Sequence, residues 1–198
     1  MPDQGPPDNF APRPERESAS PSPLSSGVRS ILGWVRDLAV SVLLAVVLIV
    51  FIYQPVKVEG TSMMPTLTDQ ERIFINKFTY HFGLGSIERG DMVVFWFPLA
   101  EEKSYIKRVI GLPGDLVYID AGQVYVNGHL LTESYVPEDY RARVSWEEHR
   151  VPPGEYFVLG DHRSSSSDSR AWGFVKRDKI YGKAVFVYWP LKNIGRLR

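Results

Sequence analysis

The sequence contains no cysteine among its 198 residues. That absence excludes a disulfide scaffold, a thiolate zinc site, an iron-sulfur cluster and a cysteine nucleophile. The chain also lacks net charge, because 23 basic side chains are balanced by 23 acidic ones. A neutral chain has no electrostatic footprint for a phosphate backbone, so nucleic acid is not an expected partner. Any chemistry must therefore use oxygen and nitrogen groups.

The four histidines are scattered along the chain and form no H-E-x-x-H motif; they are His81, His129, His149 and His162. A zinc hydrolase needs ligands at such a spacing. We therefore expect no metal and no cofactor.

Large apolar residues are scarce at the N-terminus. From Met1 to Ser26 there are seven prolines and five serines, and the only large apolar side chains after Met1 are Phe10 and Leu24. So few apolar groups cannot offset the cost of ordering the backbone. The composition predicts that residues 1–29 form a disordered Pro/Ser-rich tail.

A long apolar run follows, since residues 38–56 (LAVSVLLAVVLIVFIYQPV) carry no charge. As a helix these 19 residues reach about 30 Å, which is one bilayer crossing. We predict a transmembrane signal-anchor helix over residues 30–55 that ends at Pro55. The alternatives are a core helix and a cleaved secretory signal. The run leaves no polar face, which argues against a core helix. The sequence QPVKVEG at its end lacks a small-x-small processing site, which argues against a cleaved signal.

Residues 56–198 consist of short β-rich runs separated by turn signals. The runs are MVVFWF (92–97), LVYID (116–120), QVYVNGHLL (123–131), EYFVLG (155–160) and KAVFVYW (183–189). Asn127-Gly128 between alternating segments is a strong hairpin signal. The pattern predicts a mainly β fold, a coiled antiparallel β-sheet domain behind one N-terminal transmembrane helix.

Ser62 lies in VEGTSMMPTL, where Gly60 allows close backbone approach and Pro65 restricts the chain beyond it. A serine hydroxyl becomes a nucleophile only beside a base. An isolated serine in such a loop is more often a turn or cap residue.

Lys107 in SYIKRVIGLPGD has the most apolar setting of any lysine in the β-rich region. Burial lowers the pKa of a lysine, and a working base at pH 7 needs a shift of about three units. The alternative is a strand-edge lysine whose stem packs along apolar neighbours while its amine stays in water.

A third segment, GDHRSSSSDSRAWGFV over residues 160–175, alternates charges and contains Trp172. It is either a solvated serine-rich loop or a source of hydroxyl and carboxylate partners that orient a neutral amine.

Taken in order, VEGTSMMPTL, GDMVVF, YIKRVIGLPGD and GDHRSSSSDSRAWG resemble the sequence boxes of bacterial type I signal peptidases. The resemblance implies a β-rich catalytic domain that hydrolyses peptide bonds through an acyl-enzyme. It implies secretory preproteins as substrates, cut after small-x-small (Ala-x-Ala-like) sites. It also implies contact with the lipid bilayer of the bacterial plasma membrane, with one span and an extracytoplasmic catalytic domain; a plastid membrane is the alternative location.

The resemblance also assigns roles to single residues. Ser62 matches the nucleophile, and Lys107 matches the general base. Ser166 matches a second serine whose hydroxyl orients the lysine amine. Asp168 and Arg170 match a charged pair that braces the site.

Arg108 and Asp161 stand where the family has a structural ion pair. Residues beside the motifs are expected to line shallow apolar pockets for substrate; they are Val58, Met63, Leu67, Tyr105 and Ile106.

Two positions depart from the family pattern. Gly60 stands where some members have a serine that helps form the oxyanion hole. The oxyanion is then expected to bind the backbone N–H of Ser62, with a hydroxyl from Thr61 or a water. His162 stands where the family often has an asparagine, so a serine-histidine pair is an alternative catalytic arrangement. Because Lys107 matches the family base, the serine-lysine pair is favoured over it.

Two rival interpretations remain. Ser104 to Lys107 reads S-x-x-K, the nucleophile motif of penicillin-recognising enzymes, but it lies in a β-rich segment without S-D-N or K-T-G companions. A non-enzyme alternative is a membrane-tethered β-domain that binds partners through VVFWFPL (93–99), a run equally typical of a buried strand.

Overall fold

The computed structural model describes residues 23–51, 53–77 and 85–197. The structure divides along the chain into two units, one up to Leu44 and one from Ala45 onward. The first contains most of an apolar helix, and the second contains the β-sheets.

The apolar helix, α1, spans Pro23–Phe51. Its segment Ser30–Val47 has a mean hydropathy of 1.9 and no buried residue, so it is long and apolar enough to cross a membrane. A core helix of a soluble protein would instead bury one face.

Both helix boundaries differ from the predicted 30–55. Residues 23–29, which the composition predicts to be part of the disordered tail, are helical. The helix begins at a proline, which is well tolerated in a first helical turn. The helix ends at Phe51, and Pro55 lies in an edge strand, where a missing N–H costs no ladder bond. Residues 1–22 of the predicted tail lie outside the described residues.

Twelve strands and one short α-helix are described after α1, besides four short 3₁₀ helices. In chain order they are β1 Tyr53–Lys57, β2 Arg72–Asn76, β3 Met92–Phe97, β4 Ala100–Gly111, β5 Leu116–Asp120, β6 Gln123–Val126, β7 His129–Leu130, β8 Trp146–Arg150, β9 Glu155–Leu159, α2 Ser169–Trp172, β10 Val175–Lys176, β11 Ile180–Trp189 and β12 Gly195–Arg196.

The strands form two antiparallel sheets. The larger sheet has the order β1-β2-β11-β3-β4-β9-β10, with β12 paired to β11, and the smaller has the order β7-β6-β5-β8. The prediction of a mainly β fold behind one apolar helix is confirmed.

The five predicted runs all contain strands, because alternation and turn residues agree locally. Asn127 and Gly128 have φ values of 53° and 79° between β6 and β7. Two positive φ angles are what a two-residue hairpin turn requires. In β3 the residues Val93, Val94 and Phe95 are buried, which favours the buried-strand interpretation of this part of 93–99, whereas Trp96 and Leu99 are exposed.

Strand β4 positions the site. It pairs with β3 along most of its length, but its other edge pairs with β9 only from Arg108 onward. Within the described ranges, the part of that edge before Arg108 has no strand partner and forms one wall of a groove.

Candidate active site

Ser62 lies in a tight turn that follows β1. The turn is closed by bonds from Met64 N to Thr61 O at 3.0 Å and from Leu67 N to Met63 O at 2.9 Å. At its start the Gly60 N–H donates to Asp69 Oδ1 at 2.8 Å, and Gly60 has a φ of +96°, which favours glycine. The backbone around Ser62 is therefore held on both sides.

Lys107 lies opposite this turn on β4. Its Nζ donates to Ser62 Oγ at 2.7 Å and to Ile106 O at 3.1 Å. The side chain is only 4% exposed. Burial lowers the pKa of Lys107 to about 8, although the charges of Asp168 and Asp161 oppose the shift.

The lowered pKa changes what the amine can do. At pH 7 about one Lys107 in ten is neutral, against fewer than one in a thousand for an exposed lysine. A neutral amine at this distance can accept the Ser62 proton, so the pair has the geometry of a nucleophile with its base. Ser104, the serine of the S-x-x-K alternative, is exposed on β4 and does not begin a helix.

Asp168 connects the third predicted segment to the site. Its buried carboxylate accepts from Gly160 N at 3.1 Å and from Arg170 Nε and Nη2, each at 2.8 Å. The backbone N–H of His162 donates to Ser62 O at 3.0 Å. The segment is thus a folded wall behind the serine, not a solvated loop.

Ser166 lies in this wall, but its predicted bond to Lys107 does not form. Its Oγ is buried and has no hydrogen-bond partner among the residues described. The hydroxyl packs against Gly160, where an added Cβ would lie 2.2 Å from Ser166 Oγ and 2.5 Å from Ser62 O. The amine of Lys107 is instead held by Ser62 Oγ and the Ile106 carbonyl.

The expected ion pair of Arg108 and Asp161 is present. Arg108 Nε and Nη2 donate to the two Asp161 oxygens at 2.9 and 2.7 Å, and the side chains are 2% and 0% exposed. Thr66 Oγ1 donates to the same carboxylate at 2.6 Å. Alternation along β4 points Arg108 away from the face that carries Lys107.

His162 contacts the backbone of the serine turn. Its Nδ1 lies 3.2 Å from Thr61 O, and its ring meets Tyr140 edge-on at 4.6 Å. The Ser62 hydroxyl is bonded to Lys107 instead, so the serine-histidine arrangement does not form.

A groove of about 580 Å³ runs beside the Ser62–Lys107 pair. Five other residues of the predicted site line it, namely Val58, Gly60, Thr61, Tyr105 and Ile106. Met63 and Leu67 do not, because they are 1% and 0% exposed and belong to the core. They lie four positions apart in one turn, so their side chains share its inner face.

The sequence missed a second buried ion pair, between Glu133 and Arg163. Arg163 lies in GDHRSSSSDSRAWGFV, where the sequence indicates only a mixture of charges. Glu133 lies in an irregular stretch between β7 and β8 with no periodicity to indicate its burial.

In the described ranges, no group of three or more His, Asp or Glu side chains is arranged to hold a metal ion. His81 lies outside those ranges. The absence of a metal from the mechanism stays a prediction.

A serine hydroxyl bonded to a buried amine at an open groove is an arrangement of the serine hydrolase class. Comparison with known proteins narrows this class. The family described as "Signal peptidase, peptidase S26" matches residues 31–189. Signal peptidase I of Leptolyngbya laminosa is 36% identical over 94% of both chains. Signal peptidase I S of Bacillus subtilis is 36% identical over 85% of this chain and 94% of its own.

A solved structure of a signal peptidase I from Enterococcus faecalis V583 is 35% identical, covering 50% of this chain and 97% of that one, with a TM-score of 0.45. The match to the family model and the two sequence relatives establish that the chain belongs to the peptidase S26 family of signal peptidases, which are serine peptidases. The resemblance found in the sequence is confirmed.

Proposed function

We propose that this chain is a membrane-anchored endopeptidase that removes N-terminal signal peptides from secretory preproteins. Ser62 is the nucleophile and Lys107 the general base. The observation that carries the proposal is the 2.7 Å contact between Lys107 Nζ and Ser62 Oγ beside the groove. The family of the chain supports the substrate class.

In the first half-reaction, neutral Lys107 accepts the hydroxyl proton while Ser62 Oγ attacks the scissile carbonyl carbon. The C–N bond then breaks, and the ammonium of Lys107 gives its proton to the departing amine. The signal peptide remains as an ester on Ser62. In the second half-reaction Lys107 takes a proton from water, whose oxygen attacks the ester carbon. The bond from that carbon to Ser62 Oγ breaks, the ammonium of Lys107 returns its proton to Ser62 Oγ, and the acid is released.

The negative charge on the carbonyl oxygen needs donors that are already in place. We assign this role to the backbone N–H of Ser62, with the exposed Thr61 hydroxyl or a water as second donor. Three contacts support a fixed backbone here: Gly60 N to Asp69, His162 N to Ser62 O, and the turn bond to Thr61 O.

Substrate is proposed to lie extended along the unpaired edge of β4, as a peptide adds to a sheet edge. In an extended peptide the first and third residues before the cut point to the same side. The groove that would receive these two substrate side chains is lined by both Val58 and Ile106. Shallow apolar walls of this kind favour the small residues expected at the two positions.

Helix α1 is proposed to be a single-pass anchor in the bacterial plasma membrane, with the catalytic domain on the extracytoplasmic side. Its length and hydropathy support this role. Anchoring keeps the enzyme beside the apolar segments of its substrates and raises their local concentration.

The test is to incubate the full chain in detergent with a preprotein and to map the cut by mass spectrometry. A cut after a small-x-small site, absent with Ser62→Ala, supports the proposal. Cleavage by Ser62→Ala, or a cut at unrelated positions, contradicts it.

A further inference from the structure

The buried pair of Glu133 and Arg163 calls for an explanation beyond stability. Arg163 Nη1 donates to Glu133 Oε2 at 2.7 Å, and Nη2 donates to the other oxygen. Each residue is 5% exposed. The desolvation of two buried charges offsets most of their attraction, so such a pair adds little net stability.

Arg163 extends from this pair to the catalytic wall. Its Nε donates to Gly160 O at 3.0 Å, while the Gly160 N–H is held by Asp168. Arg170 Nη2 in turn donates to Arg163 O at 2.7 Å. Both peptide groups that flank the Gly160 Cα are therefore fixed by charged side chains. One of these side chains is Arg163, and its ion pair with Glu133 orients it.

Gly160 in turn determines where Ser62 lies. Its Cα packs so closely on Ser62 O that an added Cβ would lie 2.5 Å from that oxygen. Two residues later, His162 N bonds to the same carbonyl at 3.0 Å. A shift of Gly160 would therefore move the turn that carries Ser62. Lys107 lies on β4 and would not move with it, so the alignment of the two residues would change.

The segment around Glu133 also touches the other buried arginine. Tyr135 donates its hydroxyl to Glu133 Oε1 at 2.9 Å, and the Arg108 guanidinium lies over the Tyr135 ring at 4.0 Å. Burial and the neighbouring Glu133 raise the pKa of Tyr135, so this hydroxyl stays protonated as a donor.

We propose that Glu133 is a positioning residue for catalysis: by orienting Arg163 it holds Gly160, and through Gly160 it keeps Ser62 aligned with Lys107. This role rests on the proposed function of the Ser62–Lys107 pair. Glu133 is hydrogen-bonded to Arg163 and Tyr135 and to neither member of that pair, so it acts on them indirectly, and the route proposed is the one through Arg163.

The primary test is the kinetics of signal-peptide cleavage by the full-length Glu133→Gln variant. Glutamine keeps the shape of the side chain but removes its charge. We expect kcat to fall 10- to 100-fold, because small misplacements of reacting groups have effects of this size. KM should stay within twofold, because the β4 wall of the groove is unchanged.

The matched control is Asp115→Asn, which weakens a partly buried ion pair with Arg89 at 3.1 Å on the turn after β4. Its other contacts are to Leu112 and Asn127, outside the catalytic wall. It should lower Tm and leave kcat within twofold.

A double variant, Glu133→Leu with Arg163→Met, separates positioning from folding, because replacing both charges by apolar groups often restores stability. We expect Tm near that of the wild type and kcat still reduced at least tenfold, because the Gly160 carbonyl has lost its donor. Recovery of kcat together with Tm, or a Glu133→Gln variant with wild-type kcat, overturns the role. If Glu133→Gln does not fold, the double variant decides.

Ser62→Ala is measured alongside. Cleavage by Ser62→Ala refutes the proposed function and with it this role. An inactive Ser62→Ala beside fully active Glu133 variants refutes the positioning role alone.

Discussion

Lys107 Nζ lies 2.7 Å from Ser62 Oγ although the two residues are 45 positions apart in the chain. Ser62 follows β1 and Lys107 lies on β4, and three strands separate β1 from β4 in the larger sheet. The contact therefore exists only because the sheet brings the two groups to opposite walls of one groove.

Replacing Lys107 by methionine should stabilise the protein in a pH-dependent way. Burial lowers the pKa of Lys107 from 10.5 to about 8. Below pH 8 the folded state carries the full cost of a buried ammonium, about 3 kcal/mol. Between pH 8 and 10.5 the unfolded state binds more protons, so wild-type stability rises with pH. Lys107→Met should thus gain up to about 3 kcal/mol at pH 7 and little at pH 10.5.

Urea unfolding at the two pH values measures this difference. Lys103→Met, at an exposed lysine on the same strand, is the control and should change stability by less than about 0.5 kcal/mol. An equal gain for Lys107→Met at both pH values contradicts the burial account.

Gly160→Ala should abolish most activity. The new Cβ would lie 2.2 Å from Ser166 Oγ and 2.5 Å from Ser62 O, so the serine turn must move. We expect kcat to fall about 100-fold or more. At Gly195 the nearest atom to an added Cβ is 4.0 Å away, so Gly195→Ala should cleave normally. Steady-state kinetics with one preprotein distinguish them, and similar rates for the two variants would show that Gly160 is not confined.

Asp161→Ala should destabilise the fold strongly, because it leaves the guanidinium of Arg108 buried without its carboxylate. The expected loss is about 3–5 kcal/mol in the free energy of unfolding. Glu138→Ala breaks the more exposed pair with Arg141 and should cost at most about 1 kcal/mol. Chemical denaturation measures both, and a loss below about 1 kcal/mol for Asp161→Ala would contradict the pair's structural role.

Ile106→Ala should relax specificity for the residue before the cut, because Ile106 lines the groove beside Lys107. Removing three carbons leaves room for a larger substrate side chain, and such fits are worth about 10- to 200-fold in kcat/KM. We expect a preprotein with valine at the first position to gain at least tenfold relative to alanine. Leu99→Ala, at an exposed residue outside the groove, should leave this ratio unchanged.

Local signals in the sequence predicted most of the fold. The strands that contain Val93, Val117 and Val158 are clear apolar runs in the sequence. Asn127-Gly128 predicts the hairpin turn, because these two residue types tolerate the positive φ angles that it requires. The C-terminal end of α1 lies at Phe51 and not at Pro55, because Pro55 lies in an edge strand.

The site was predicted less evenly. Ser62, Lys107 and the pair of Arg108 and Asp161 lie in motifs that resemble a family, and the structure brings each pair together. Glu133 lies outside any motif, so its burial follows only from the tertiary packing. Composition alone likewise cannot show that Met63 turns into the core.

The central claim is that a neutral Lys107 amine activates Ser62. Its most direct test is the rate at which a serine-directed acylating reagent modifies Ser62 between pH 5 and 10, followed by mass spectrometry in the wild type and in Lys107→Arg. The wild-type rate should rise about tenfold per pH unit and level off near pH 8, the pKa of Lys107. Lys107→Arg should give no modification at any of these pH values. A wild-type rate independent of pH, or equal modification of the variant, would contradict the account.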